Sequence, residues 1–209
     1  EIFEKQNISD AIIQSSNWMY TSWVENLGNN MFKIHKLPKE AQWAPVFGTT
    51  TFDLNQDGYE DLLMIGNDYG VEVNQGRLDA LQGLVLINDK DKGFIPQALE
   101  KSNFFVPGNG KSLVQINIDH QPYFIASQNN DNLKVFKPNF EFSSKMISWE
   151  KEETSCLIYS ETNKVQKKSK NDSFSFQSQG TSYFWVPKQT QKIEFYNSSL
   201  KIIRTETFE

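Results

Sequence analysis

Asp53-Leu54-Asn55-Gln56-Asp57-Gly58-Tyr59-Glu60-Asp61 is the stretch on which the fold turns. Asp53, Asn55 and Asp57 alternate, so a curled loop can turn all three side chains inward. Gly58 can take backbone angles that a side chain forbids. The peptide oxygen of Tyr59 and the carboxylate of Asp61 can then close the shell. Hard oxygen donors in a small loop suit Ca2+, which accepts roughly six to eight of them. The plainer alternative is an acidic hairpin turn that holds no metal.

The flanks exclude the helix-loop-helix type of calcium loop. That pattern needs a bidentate Glu at the twelfth position, and the twelfth residue counted from Asp53 is Met64. Residues 46–52, Val-Phe-Gly-Thr-Thr-Thr-Phe, are β-branched and aromatic, and 62–65 are a short apolar run, Leu-Leu-Met-Ile. Both read as strands. The loop therefore joins two strands, with its last carboxylate at the ninth position.

The 209 residues allow one large or two small domains. With 38% hydrophobic and 22% charged residues, a packed core is expected rather than disorder. Sixteen Phe lean the chain toward β structure. A net charge of −5 argues against a nucleic-acid partner, which calls for a basic stripe. No apolar run reaches the length of a membrane span. The first residue is Glu1 rather than Met, so a segment of a longer protein is expected. Cys156 is the sole cysteine, which excludes an internal disulfide and suits a buried small hydrophobe. His35 and His120 are the only histidines; an exposed strand position is expected for the first and a turn for the second.

Along the chain, 2–13 carries a short helical pattern. Strands are expected at 23–26 and 31–37 around a Gly28-Asn29-Asn30 turn. A long segment follows the second acidic-loop strand, at 67–83, with Asp68, Glu72, Arg77 and Asp79. Loops of that length in compact domains are often functional. The other reading is an ordered crossing loop whose Arg77 pairs with one of these carboxylates. Strands then recur at 84–88, 94–95, 111–119, 121–127 and 132–137.

These strands repeat. Residues 26–32 match 88–94 at an offset of 62, Phe52-Asp53 match Ile118-Asp119 at 66, and Gly66-Asn67 match Gln128-Asn129 at 62. The second copy lacks the acidic series and is assigned no metal. A unit of four antiparallel strands stacking on copies of itself is the logic of a β-propeller blade. The expected inventory is half a blade at 23–37, a whole blade at 45–99 and most of another at 111–137. A ring needs about four or more, so further blades of a parent chain are expected before Glu1. Open sheet edges would remain.

Asp-x-Asn-x-Asp-Gly-x-x-Asp at 53–61, with Leu86-Ile87-Asn88 and Lys92-Gly93-Phe94, resembles the FG-GAP/VCBS repeat of integrin α-like propellers and bacterial surface proteins. The stretch from Trp23 to Gly83 is similar to the C-terminal part of large bacterial VCBS-repeat proteins that carry an ASPIC/UnbV segment. The resemblance covers about residues 20–137. It implies calcium ligation by Asp53, Asn55, Asp57, Tyr59 and Asp61 and a place at the bacterial cell surface or outside the cell. Asn55 replaces the Asp frequent in the family, which removes one charge.

The fold class expected is all-β, a partial propeller of about two to three blades (1–139) and a small sandwich or barrel (140–209). In the tail, strands are expected at 154–160, 164–169, 173–177, 183–186, 192–196 and 201–205. The order is similar to the ASPIC/UnbV module, with Phe176-Gln177-Ser178 at the matching place, but Trp185-Val186-Pro187-Lys188 and Tyr196-Asn197-Ser198-Ser199 depart from it.

Two functions stand open. One is a non-catalytic binding or scaffolding module, with Asp68, Glu72, Arg77 and Asp79 as ligand contacts and Trp18, Trp23 or Trp43 stacking on a sugar; the plainer role of the Trp residues is packing between blades, expected above all for Trp43. Its partner would be a carbohydrate or protein. The other is a glycan-active enzyme with Asp68, Glu72 and Asp79 as acid and base.

Overall fold

The computed structural model describes residue 12 and residues 14–140, 145–161, 165–170 and 182–208. The chain forms two compact units, Glu1–Leu37 and Pro38–Glu209. The helical pattern expected at 2–13, apart from Ile12, and the strand expected at 173–177 lie outside the described residues. Among the described residues the strands form antiparallel sheets of two to four strands, none closed on itself.

The first unit holds a hairpin of β1 (Ser22–Gly28) and β2 (Met31–Lys36). Gly28, Asn29 and Asn30 all have positive φ, as tight hairpin turns with right-handed twist require. One face pairs Val24 with Ile34, and both are exposed. On the other, His35 stacks on Trp23 at 4.2 Å and meets Glu25 at 2.8 Å. His35 is therefore half-buried rather than exposed, because the register sets it directly opposite an indole.

In the second unit β3 (Val46–Phe52), β4 (Asp61–Gly66), β5 (Leu84–Asp89) and β6 (Gly93–Pro96) form one sheet in chain order. β4 lies inside it and is buried on both faces at Leu63, Met64 and Ile65. That explains its unbroken apolar run. A short helix α1 (Leu99–Ser102) leads to β7 (Gly110–Ile118), β8 (Gln121–Gln128) and β9 (Lys134–Phe136), which form a second sheet. β8 buries Pro122, Phe124, Ala126 and Gln128 at strict period two.

The first hairpins of these two sheets share backbone features. Both first hairpins carry an irregularity at the same place, between Val46 and Gly48 and between Gly110 and Ser112. The next bond outward recurs as well: the Asn67 amide donates to the Pro45 carbonyl at 2.9 Å, and the Asn129 amide to the Asn109 carbonyl at 2.8 Å. With these anchors the first strands correspond at 64 residues (46 to 110) rather than the expected 66. The reason is that β7 runs on to Ile118, closed by a turn at Asp119 and His120 with positive φ, where β3 has already given way to the acidic loop. Gly66 has no alternative: a Cβ there would sit 1.9 Å from the Pro45 carbonyl oxygen.

The tail contains β10 (Met146–Ser148), β11 (Ser155–Ser160), β12 (Val165–Ser169), β13 (Tyr183–Trp185), β14 (Thr190–Tyr196) and β15 (Ile202–Thr207). A sheet runs β12-β11-β14-β15, and β10 pairs with β13 as a separate ribbon. β10 falls before the first of the tail strands expected from sequence; three residues are too few to show a period. The ribbon serves two cores. Met146 and Trp185 pack with Phe52, Leu63, Leu113 and Phe124, whereas Ile147 and Phe184 pack with Trp149, Cys156, Ile193 and Phe195. Successive strand residues face opposite ways, so one ribbon can fill both. Cys156 is buried, as its apolar neighbours suggested.

Candidate functional site

The acidic loop connects two adjacent antiparallel strands, and its side chains fold back on its own amides. Asp53 accepts from the Asp57 amide at 3.0 Å and the Gly58 amide at 2.8 Å. Asn55 accepts from the Asp57 amide at 3.1 Å, and Asp57 from the Tyr59 amide at 2.8 Å. Gln56 and Gly58 supply the left-handed residues the curl needs. Asp61 is fully buried (0% exposed). One of its oxygens accepts from the Leu54 amide and the other from the Asn88 amide, each at 2.9 Å. It therefore ties the loop to both β4 and β5. Asn88 also donates its side-chain amide to the Glu60 carbonyl at 3.2 Å.

Burial pushes the Asp61 carboxyl up to about 6; the Asn88 and Leu54 amides pull it back, and the charges of Asp53 and Asp57 push it further. Asp53 is raised too, first by burial and then by Asp57, against the Gly58 and Asp57 amides. The loop thus holds negative charges that oppose one another. Asp53, Asn55, Asp57, the Tyr59 carbonyl and Asp61 are all hard oxygen donors, and in donor chemistry they fit a divalent cation. Among the described residues no group of three or more His, Cys, Asp or Glu side chains is drawn together as a metal centre. The Asn55 amide nitrogen is directed at Asp57, at 2.9 Å.

The loop's far side meets β12. Gln166 donates to the Gly58 carbonyl and Lys168 pairs with Glu60. Burial alone would raise the Glu60 carboxyl, but the Lys168 charge and hydrogen bond outweigh it and hold it below its ordinary range. Nothing in the sequence pairs Gln166 or Lys168 with the loop. They lie 108 residues from the loop in the chain, and no local pattern marks them.

Residues 67–83 are an ordered crossing segment. Asp68 and Leu78 exchange backbone bonds at 2.8 and 2.9 Å. Asn67 is the bolt: fully buried at φ 82°, it donates its side-chain amide to the carbonyls of Leu81, Pro107 and Gly108 and accepts from the Leu81 amide. Asp68 lies 3.9 Å from Lys111 and caps the Gly70 amide. Glu72, Arg77 and Asp79 are exposed. Arg77 lies over the Tyr69 ring at 4.6 Å, in place of the carboxylate partner one reading expected. Trp18 and Trp43 are exposed, Trp43 to 54%.

Between the acidic loop and the tail sheet lies a cleft of about 290 Å³. Gln56, Asp57 and Gly58 form one wall; Gln166, Lys188 and Gln189 are among the residues of the other.

Neither a protein-family model nor a curated protein sequence matches the chain.

Proposed function

We infer that the chain is a non-catalytic binding or scaffolding module built on propeller-type blades, held at one turn by Ca2+, and carried by a bacterial cell-surface protein. One observation supports this above the rest: an alternating Asp-Asn-Asp loop with a ninth-position Asp stands between neighbouring strands of a four-stranded sheet. The repeat adds support, since β3 and β7 carry the same irregularity and the Gly48 position abuts Leu113 across the two sheets. Stacked four-stranded units are how a propeller is assembled. Asp53, Asn55, Asp57, the Tyr59 carbonyl and Asp61 would hold the ion. Its chemistry is charge neutralisation, which would steady the turn and the segments around it. The exposed Glu72, Arg77 and Asp79 and the partly covered Asp68 leave the crossing segment open to a carbohydrate or protein ligand.

Calorimetric titration with Ca2+ tests this reading. One site is expected, and Asp57→Ala should abolish its heat. An isotherm that is the same in wild type and variant would refute calcium binding at this loop.

A further inference from the structure

The cleft between the acidic loop and the tail sheet has an unusual wall chemistry. Gln56 and Gln189 are both non-glycine residues in the left-handed region, at φ 58° and 61°, and they line its two sides. Side chains there are strained, and such strain persists where the surrounding structure enforces it, commonly at ligand clamps. Gln189 is enforced. Its carbonyl accepts from the Glu161 amide at 3.0 Å, and the Thr190 hydroxyl closes the same turn onto the Pro187 carbonyl at 2.7 Å. Gln56 is enforced by the curl of the acidic loop, where its neighbours Asn55 and Asp57 are tied to backbone amides. The Gln56 side-chain oxygen is buried and has no hydrogen-bond partner, which is costly unless something supplies a donor.

The remaining polar lining narrows the ligand. Gln166 adds a third amide. Asp57 is assigned to the Ca2+ ion and Lys188 is an exposed ammonium; the other polar side chains of the lining, Gln56, Ser160, Gln166, Gln189 and Thr190, are neutral. An amide presents donor and acceptor side by side, which matches the paired hydroxyls of a sugar, each able to donate and accept. Pro187 offers an apolar surface for a ring's C–H face. At about 290 Å³ the space lies at the small end of ligand sites, of the order of a terminal sugar rather than a long chain.

We propose that this cleft is a saccharide site that binds a terminal neutral sugar between Gln56 and Gln189. The proposal rests on the reading of the chain as a binding module and places its ligand away from the 67–83 segment. It also accounts for the strained glutamines: glycine would be easier at both positions, but glycine has no amide to offer.

The same point supplies the test. Gln56→Gly and Gln189→Gly each remove an amide and relieve a left-handed residue, so both should fold with a thermal midpoint equal to or above wild type. The wild-type chain is screened with Ca2+ on an array of mono- and oligosaccharides ending in neutral hexoses, deoxyhexoses and N-acetylhexosamines. The sugar that scores is then titrated into each variant. Affinity is expected to fall about tenfold in each single variant, while Gln189→Gly, which lies outside the acidic loop, leaves the calcium isotherm as in wild type. A blank array, or equal affinity in the variants, overturns the cleft. Release of cleaved sugar seen by mass spectrometry would instead overturn the binding-module reading, whatever the variants do.

Discussion

Asp61 offers a pH test that separates the acidic loop from the rest of the chain. Its carboxyl is fully buried, and burial lifts it from an ordinary 3.8 to about 6. Raised in the folded state, it binds its proton more tightly there than in the unfolded chain. Stability without metal therefore falls as pH rises from about 4 to about 6, and the penalty is complete above that. About two pKa units correspond to at most ~3 kcal/mol at pH 7, and to less once solvent screening is allowed for. Between pH 7 and pH 5 the relief amounts to about 1 kcal/mol. The assay is urea unfolding in EDTA at both pH values, for wild type and Asp61→Asn. The variant carries no titrating group at this position, so its difference from wild type isolates Asp61 from carboxylates such as Glu194, which its hydrogen bonds with Lys192, Tyr159 and Tyr196 hold down to about 2. Wild type should gain about 1 kcal/mol relative to Asp61→Asn on going from pH 7 to pH 5. A difference that does not change with pH, or that moves the other way, would refute the reasoning. With Ca2+ at saturation the difference should shrink, because the ion and the proton compete for one carboxylate.

Two further substitutions probe what holds the site in place. Glu153 is buried and takes Arg204 at 2.6 and 3.0 Å, with the guanidinium 3.8 Å over Phe195; Glu153→Ala should cost roughly 3 kcal/mol in urea midpoint at unchanged slope, at the lower end for a broken buried pair because Arg204 also reaches Glu206. A loss below about 1 kcal/mol would count against that reading. Asn67→Ala removes the bolt of the crossing segment and leaves an alanine at φ 82°. It should cost about 3 kcal/mol or more and expose amides 78–81 to faster hydrogen exchange. Asn67→Gly should recover part of the loss, since glycine accepts the backbone angle.

Much of the fold was legible in local pattern. The Asn29-Asn30 turn, the apolar run at 62–65 and the alternation of β8 each follow from one strand and its neighbours. So did the oxygen donors of the acidic loop, which are contiguous. The likeness of the two hairpins was legible at the offset of 62 for their second strands, but not at 64 for their first, because a strand extended by two residues and a loop removed look alike in sequence. β13 was legible at 183–186, but β10 and its pairing with β13 were missed for a different reason: the partners are far apart and each strand is three residues long.

Sequence alone therefore determined the chemistry on offer: a β-rich chain, an acidic loop between strands, and a lone cysteine with no disulfide partner in the chain. Tertiary structure decided how that chemistry is deployed. It buried Asp61 against Asn88, set Asn67 rather than Arg77 as the organiser of the crossing segment, and brought Gln189 opposite Gln56. These outcomes bring together residues 14 to 133 positions apart, at a cost in chain entropy that is met only by the packed whole. A period of two along a strand records which face is inward, but not what stands on the other side.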